Sequence, residues 1–393
     1  MAHRRSLLTA LLVLTAALAP AAVARAADPG PYVSLGDSYT AAPLVLNQVG
    51  RPFGCARSDH NYPSVVTAAT GVTRFRDVSC SSAETKHMTG PQSVTLGTNA
   101  PQFDALNAGV KLVTVGIGGN DVGLVGAAVT CIQLGLLAPT GTACRSNFAK
   151  PGGGDLLAEQ ITATAPRIAA TLQGIRARSP EARVLIVGYP DVAPRNGKGC
   201  YPLVPLSDDD ITYLDEMLRA TNTMIAQQAA ANDAEYVDTY DDSVGHDVCT
   251  LPGTRWFEGV VPTAPAFPVH PNELGEASMA RSVLRVLGQP RPAPVLGPLR
   301  RARRAISAGR ALRVTYSVNR AANVTFGLQR SRGRGRGRYT AVRRVTAADA
   351  RAGENTITLS AKQLGRRAGL YRLTAAVADG VAQRVQFRIR RAR

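Results

Sequence analysis

The stretch YVSLGDSYT, residues 32–40, joins a short apolar run to a turn that carries a serine. The apolar residues predict a buried strand at 32–36. Gly-Asp-Ser is also ordinary turn chemistry, because glycine adopts unusual φ values and Asp and Ser side chains bond nearby backbone. Ser38 is therefore either a turn residue or a nucleophile, and this segment alone leaves both interpretations open.

Apolar strands alternate with helical patterns over residues 27–288. Strands are predicted at 32–36, 74–80, 111–116, 183–188 and 235–239, and helices near 61–70, 101–109, 120–130, 155–178, 208–232 and 272–287. This alternation is typical of an α/β domain in which helices cover both faces of a parallel sheet. Active sites in such sheets lie beyond the carboxyl ends of the strands, which is where Ser38 and Asn120 fall.

The first 26 residues have the features of a secretory signal peptide. HRR gives a positive start, LLTALLVLTAALA an apolar centre and ARA a small-residue cleavage site. The apolar run is short for a membrane span of about 20 residues, and no later stretch is long and apolar enough to cross a bilayer. We therefore predict that residues 1–26 are removed and that the protein is secreted, and possible association with the cell surface stays open.

Six cysteines suit an oxidising compartment outside the cell: Cys55, Cys80, Cys131, Cys144, Cys200 and Cys249. None lies in a Cys-x-x-Cys pair, so structural disulfides are expected rather than a zinc or redox site. About fifteen pairings are compatible with the sequence alone.

Charge divides the chain into two parts. Residues 291–393 hold 25 Lys and Arg against 3 Asp and Glu, whereas residues 27–290 hold 18 against 25. The break falls in a Pro-rich stretch, 289–300, that is predicted to be a linker. Beyond it, residues 301–393 contain short segments of alternating apolar and polar residues at 313–318, 323–328, 355–360, 370–377 and 384–389, which predict a small all-β domain of the immunoglobulin-like sandwich type. Its stretch 330–338 is a basic, low-complexity loop.

Serine catalysis needs a base and donors for an oxyanion, and two further segments offer them. GIGGNDVG, residues 116–123, places Asn120, whose side chain carries N–H donors, after a predicted strand. VHPNELGE, residues 269–276, places His270 just before the last helix. Each segment also has a plain structural interpretation, as a helix cap or a packed histidine.

Together these segments resemble the SGNH/GDSL hydrolases, in particular the secreted actinobacterial lipase and esterase branch. GDSYT resembles the first block of that family, RDVSCSSAET (76–85) the second, GGND (118–121) the third and HPN (270–272) the fifth. The resemblance covers about residues 30–290 and leaves out the basic domain. An α/β-hydrolase is a weaker match, because that fold requires Gly-x-Ser-x-Gly around its nucleophile.

The resemblance implies a flavodoxin-like three-layer α/β/α fold, with Ser38 as nucleophile and His270 as base. The oxyanion hole would consist of the Ser38 and Ser82 backbone N–H groups and the Asn120 side chain. The family usually has glycine where this chain has Ser82. In this branch neighbouring cysteines pair in order, which implies the disulfides Cys55–Cys80, Cys131–Cys144 and Cys200–Cys249.

The family commonly has an acid three residues before the histidine, and this chain has Phe267 there. Some members of the branch use a main-chain carbonyl instead, so the Phe267 carbonyl is expected to orient His270. A carbonyl can accept the Nδ1–H and leave Nε2 free to take the serine proton.

The leading hypothesis is a secreted serine esterase or lipase that hydrolyses acyl esters without metal or cofactor. One alternative is an acetyl esterase that acts on polysaccharide. Another is a catalytically weak protein that binds a cell wall or membrane surface, with the basic domain contacting anionic wall polymers or lipid. Export and the lack of aromatic residues among the arginines argue against nucleic acid as a partner. We expect a monomer.

Overall fold

The computed structural model describes residues 29–288, 296–318, 322–332, 339–350, 353–377 and 381–391. The predicted signal peptide, 1–26, lies outside the described residues. So do residues 289–295 of the predicted linker and 333–338 of the basic loop.

A five-stranded parallel sheet forms the centre of the larger unit. Its strands are β1 (Tyr32–Gly36), β2 (Phe75–Asp77), β3 (Leu112–Gly116), β4 (Arg183–Val187) and β5 (Glu235–Val237). They are ordered β2-β1-β3-β4-β5, and every neighbouring pair is parallel. All five predicted strands are confirmed, and the order is that of flavodoxin-like sheets, with a switch point beside β1.

Helices cover both faces of this sheet. They are α1 (Ser38–Ala41), α2 (Tyr62–Thr70), α3 (Gly119–Val122), α4 (Leu124–Leu137), α5 (Ala143–Phe148), α6 (Leu156–Arg178), α7 (Asp208–Ala231), α8 (Tyr240–Ser243) and α9 (Glu273–Leu287). Short 3₁₀ turns lie at Phe53–Cys55, Thr85–Met88 and Gln102–Ala105, and small hairpins pair Gln48–Val49 with Arg57–Ser58 and Gln92–Val94 with Gly97–Asn99.

The two faces of the sheet bury separate hydrophobic clusters, because side chains alternate along each strand. Tyr32 and Leu112 pack with α2 and α9 on one face. Val33 and Val113 pack with α6 and α7 on the other. Burial of an aliphatic side chain of this size contributes about 1.5–3 kcal/mol, so the two helical layers fix the sheet and with it the ends of β1 and β3.

The predicted helix at 101–109 is wrong, since the structure has only one 3₁₀ turn there, Gln102–Ala105. The Asn107 side chain accepts the Gly109 N–H at 2.9 Å, which favours a turn over a continuing helix. The helix expected near 120–130 is divided at Gly123, whose φ is 84°.

The C-terminal unit contains two sheets around one hydrophobic cluster. Its strands are β6 (Arg300–Arg301), β7 (Ala305–Ser307), β8 (Leu312–Val318), β9 (Ala322–Ser331), β10 (Tyr339–Ala350), β11 (Gly353–Leu359), β12 (Gly369–Ala376) and β13 (Gln383–Arg390), with the short helix α10 (Ala361–Leu364). The sheet orders are β6-β8-β11 and β7-β13-β12-β9-β10. The five predicted strands are confirmed, and β10 is a further long strand that the sequence analysis did not identify.

The end of the predicted linker packs with this second unit. Leu296 and Leu299 are buried in its cluster, and Leu296 forms a bridge to Val318. Residues 296–300 are therefore part of the β-domain rather than a spacer. In the described part of the chain, no helix combines the length and apolarity that a membrane crossing requires.

Candidate active site

Ser38 lies in the sharp turn that follows β1, at the carboxyl edge of the sheet. Gly36 has a φ of 151°, and a Cβ there would lie 2.6 Å from the Gly116 carbonyl oxygen, so only glycine fits between β1 and β3. The Gln102 side chain accepts the Gly36 N–H at 2.8 Å and donates to its carbonyl at 2.9 Å. These contacts hold the strand end rigid directly before the serine.

His270 reaches Ser38 from a loop that enters α9. Its Nε2 lies 2.8 Å from the Ser38 Oγ, and its Nδ1 lies 2.8 Å from the Pro268 carbonyl oxygen. Because a carbonyl can only accept, Nδ1 carries the proton and the Nε2 lone pair faces the serine hydroxyl. Burial lowers the pKa of His270 to about 4, partly offset by the Pro268 carbonyl, so the imidazole is neutral near pH 7 and its Nε2 is free to accept a proton.

The expected role of the Phe267 carbonyl needs correction, because the Pro268 carbonyl faces the ring instead. The Phe267 carbonyl accepts the His270 backbone N–H at 3.1 Å and closes a turn. That turn directs the next carbonyl along the chain, the one of Pro268, toward Nδ1. The Phe267 ring packs edge-on against the imidazole, with centroids 5.3 Å apart.

The residue before the histidine is held in a strained conformation. Val269 has a φ of 61°, a left-handed value that costs a β-branched residue about 1–3 kcal/mol. Three hydrogen bonds hold it: the Tyr39 hydroxyl donates to its carbonyl at 2.7 Å, its N–H donates to the Glu258 carbonyl at 3.0 Å, and the Glu258 N–H donates to the His270 carbonyl at 3.0 Å. Long-range contacts therefore fix the position of the imidazole.

Two of the predicted oxyanion donors, Ser38 and Asn120, line the same cavity, and a hydrogen bond connects Asn120 to the segment of the third, Ser82. The Asn120 Nδ2 donates one hydrogen to the Ala83 carbonyl at 2.9 Å, which ties β3's loop to the segment that carries Ser82 and leaves the second amide hydrogen available. Within the described ranges, neither the Ser38 N–H nor the Ser82 N–H donates to another protein group. Ser82 has a φ of 64°, which explains why glycine is the usual residue at this position.

A buried carboxylate connects the turn that carries Ser38 to the Asn120 loop. Asp37 accepts the Tyr39 N–H at 3.0 Å and the Tyr189 hydroxyl at 2.6 Å, and the same hydroxyl accepts the Gly119 N–H at 2.7 Å. Burial raises the pKa of Asp37 to about 7 despite these hydrogen bonds. Asp37 thus organises both loops and lies away from His270, whose ring nitrogens face Ser38 and Pro268.

Sequence reasoning missed Tyr39, Tyr189 and Glu258 as parts of the site. Tyr189 could have been found, because it follows β4 at the carboxyl edge of the sheet, as Ser38 follows β1. Glu258 lies in an irregular loop and carried no comparable signal. No group of His, Cys, Asp or Glu able to hold a metal ion exists among the described residues.

An apolar cavity opens beside Ser38 and Asn120. Helix α4 and the segments around α7 line its walls with Leu124, Val125, Ala128, Ile132, Val192, Val204, Leu206, Ile211, Leu214, Leu218, Val248 and Val260. Asp215 is one of the few charged residues at its wall. Such a cavity suits a hydrocarbon chain, because its walls offer few hydrogen-bonding groups.

Three disulfides cross-link segments of the larger unit. They join Cys55 to Cys80, Cys131 to Cys144 and Cys200 to Cys249, which are the pairs that the resemblance implies. Cys131 lies on α4 next to Ile132, which lines the cavity, so the second bridge joins the helix that forms one cavity wall to α5.

Comparison with known proteins gives one consistent result. Residues 34–277 match the model of the GDSL-like lipase/acylhydrolase family. Lipase 2 of Streptomyces coelicolor is 39% identical over 284 residues, which make up 71% of this chain and 93% of that lipase. Among solved structures, the phospholipase A1 of Streptomyces albidoflavus NA297 has a TM-score of 0.55 at 26% identity, covering 66% of this chain and 99% of that one. The extracellular lipase of Streptomyces rimosus has a TM-score of 0.53 at 26% identity, with the same coverage.

Proposed function

This chain belongs to the GDSL-like lipase/acylhydrolase family and hydrolyses acyl esters, and we propose that it does so through a covalent acyl-enzyme on Ser38. The observation that carries this proposal is the 2.8 Å contact between the Ser38 Oγ and the His270 Nε2 beside an apolar cavity. A nucleophile and a neutral base within hydrogen-bonding reach are what the first step of acyl transfer requires.

In the first step, the Ser38 Oγ attacks the ester carbonyl while His270 Nε2 accepts the hydroxyl proton. The carbonyl oxygen becomes an oxyanion that the Ser38 and Ser82 N–H groups and the Asn120 amide stabilise. His270 then returns the proton to the leaving alcohol. Water, activated by the same imidazole, attacks the acyl-enzyme, and collapse of the second tetrahedral intermediate releases the acid and restores Ser38.

The imidazolium that forms during both steps donates its Nδ1–H to the Pro268 carbonyl. A carbonyl dipole stabilises this cation less than a full negative charge would. The site compensates by fixing the ring tightly, through the contacts of Val269 and the packing of Tyr39 and Phe267 on its two sides. Rigid placement of base and nucleophile lowers the entropic cost of the reaction.

The cavity favours a lipid-like acyl chain over an acetyl group. Its aliphatic lining extends from α4 to the segments around α7, whereas an acetyl group would occupy only the part next to Ser38. The polar lining that hydroxyl-rich sugars require is mostly lacking among the described residues of this cavity. We therefore place the acid portion of a lipid ester in the cavity and the alcohol portion toward solvent.

The catalytic assignment is tested with soluble p-nitrophenyl esters. Ser38→Ala should lower kcat by at least about 10⁴-fold, because serine and histidine act as one unit. A serine-directed fluorophosphonate should label the wild type at Ser38 and leave the variant unlabelled, with unchanged melting temperature. Full labelling of Ser38→Ala, or activity within tenfold of wild type, would contradict the assignment.

We further propose that the protein is exported by its first 26 residues, acts outside the cell as a monomer, and consists of two separate units. The smaller unit would be an immunoglobulin-like sandwich, a proposal supported by two sheets that share one core. Its excess of arginine suggests that it brings the enzyme to an anionic wall or lipid surface.

A further inference from the structure

We propose that the β-domain contains a cleft that binds the phosphate groups of a linear polymer with phosphate in every repeat unit. The cleft has a volume of about 1120 Å³, and its lining includes Arg303, Arg304, Arg310, Arg313 and Arg390 but no Asp or Glu. The inference deepens the surface role proposed above by naming a site and a ligand class.

The arginines come from both sheets and from the chain that crosses between them. Arg313 lies on β8, Arg390 ends β13, and Arg303 and Arg304 join β6 to β7. Backbone hydrogen bonds fix these positions: Ala302 N–H to Arg313 O at 3.1 Å, Ala308 N–H to Arg390 O at 2.9 Å, and Arg388 N–H to Arg304 O at 3.0 Å. A ligand in the cleft therefore meets cations from several separate segments of the chain.

None of these five arginines forms an ion pair with any carboxylate of the described residues, and all five side chains are exposed. The carboxylate of Glu354 on β11 does not line the cleft. Glu354 is four residues from Thr358, which does line it, and this spacing corresponds to about 13 Å along a strand. Guanidinium groups gathered in one cleft repel each other, and a polyanion would relieve that repulsion.

The chemistry of the cleft favours a phosphate strand over a bilayer surface. Arginine presents paired donors that fit phosphate oxygens bidentately. A concave wall admits a polymer strand, whereas a flat bilayer cannot follow it. Membrane-binding faces combine cations with exposed apolar side chains. In the described part of this domain, the large exposed apolar residues are Val342 and Val381, and neither lines the cleft.

The test measures binding of the full-length protein to long-chain inorganic polyphosphate by isothermal titration calorimetry at several salt concentrations. The cleft variant is Arg313→Gln/Arg390→Gln. The matched control is Arg384→Gln/Arg366→Gln, which removes the same charge from exposed positions of the same domain. Arg384 shares β13 with Arg390 and lies about 20 Å from it along the strand.

We expect the cleft variant to bind polyphosphate at least about tenfold more weakly and to lose about two units of the log Kd against log salt slope, one for each phosphate contact. The control should change Kd by less than about threefold. Hydrolysis of a soluble p-nitrophenyl ester should be unchanged in both variants, so a failure here is distinct from a failure of the catalytic assignment. If Arg313→Gln/Arg390→Gln has a lower melting temperature than the wild type, a second cleft variant, Arg303→Gln/Arg304→Gln, tests the same site.

Three results would overturn the proposal. Equal weakening in cleft and control variants would show that only the diffuse charge of the domain matters. Binding of inorganic phosphate as tightly as polyphosphate would indicate a small-anion pocket. Capture by vesicles of phosphatidylglycerol and phosphatidylcholine, without polyphosphate binding, would indicate a membrane surface.

Discussion

The Tyr39 hydroxyl is expected to control the reactivity of His270 through its hydrogen bond to the Val269 carbonyl. Tyr39→Phe removes the 2.7 Å hydrogen bond to the Val269 carbonyl and keeps the ring, whose centroid lies 4.9 Å from that of the imidazole. No other group of the described residues donates to this carbonyl. Loss of a buried hydrogen bond that leaves its acceptor unpaired costs about 1–3 kcal/mol.

The hydrogen bond is lost at Val269, a residue whose backbone is already strained. Val269 at a φ of 61° can relax once its carbonyl is released, and His270 is the next residue. If about 1–2 kcal/mol of the loss appears in the barrier, kcat/KM falls by about 5- to 30-fold. A loosened loop also admits water to the ring, so the pKa of His270 should rise from about 4 toward its ordinary value near 6.5.

The assay is the pH dependence of kcat/KM on a soluble p-nitrophenyl ester for the wild type, Tyr39→Phe and Tyr39→Phe/Val269→Gly. Glycine adopts the left-handed conformation without strain, so the double variant should recover part of the lost activity. Tyr39→Phe with kcat/KM within twofold of wild type and an unmoved acidic limb would refute the reasoning. So would a double variant that is no better than the single one at equal thermal stability.

Four further predictions concern Asn120, the base His270, the cavity and the β-domain. Asn120→Ala should lower kcat by about 10²–10³-fold with little change in KM, as for other oxyanion donors, and a change in KM alone would make Asn120 a substrate-binding residue. The wild-type kcat/KM should decrease below about pH 4, because only neutral His270 accepts the proton. Phe267→Asp should move this decrease to higher pH, since a carboxylate within about 4–6 Å favours the imidazolium, and an unchanged pH profile would place the two side chains apart in solution. Ala128→Phe should narrow the cavity and reduce kcat/KM for long acyl chains more than for acetate esters, whereas Val129→Phe, on the exposed side of α4, should leave the chain-length profile unchanged. Deletion of residues 291–393 should leave hydrolysis of a small soluble ester within about threefold, a change of only ~0.7 kcal/mol in the barrier, and a larger loss would show that the β-domain supports the catalytic unit.

The Cys131–Cys144 disulfide and the Gln102 hydrogen bonds stabilise backbone near the site without taking part in the proposed reaction. Gln102, from the segment wrongly predicted as a helix, fixes the end of β1 through both atoms of its amide. The Cys131–Cys144 bridge holds α4 against α5 behind the cavity. Both act on backbone that carries the site, so changes at these positions should affect activity through positioning rather than through chemistry.

The sequence by itself determined the elements and the edge at which chemistry occurs. Alternation of strands and helices predicted a parallel sheet, and the position of Ser38 and Asn120 after β1 and β3 placed both at one edge of it. These features are local: the period of apolar residues and the turn chemistry of Gly-Asp-Ser depend on neighbours along the chain.

Only the tertiary structure decided how the imidazole is held. A turn decides whether the Phe267 or the Pro268 carbonyl faces Nδ1, and this turn is stabilised by contacts with Tyr39 and Glu258. Tyr39 is 230 residues away from Val269 along the chain. The left-handed conformation of Ser82 likewise depends on the packing of its loop against Asn120 rather than on its own preference. Hydrogen bonds between distant segments leave no periodic trace in a sequence, because each needs only one donor and one acceptor brought together by the completed fold.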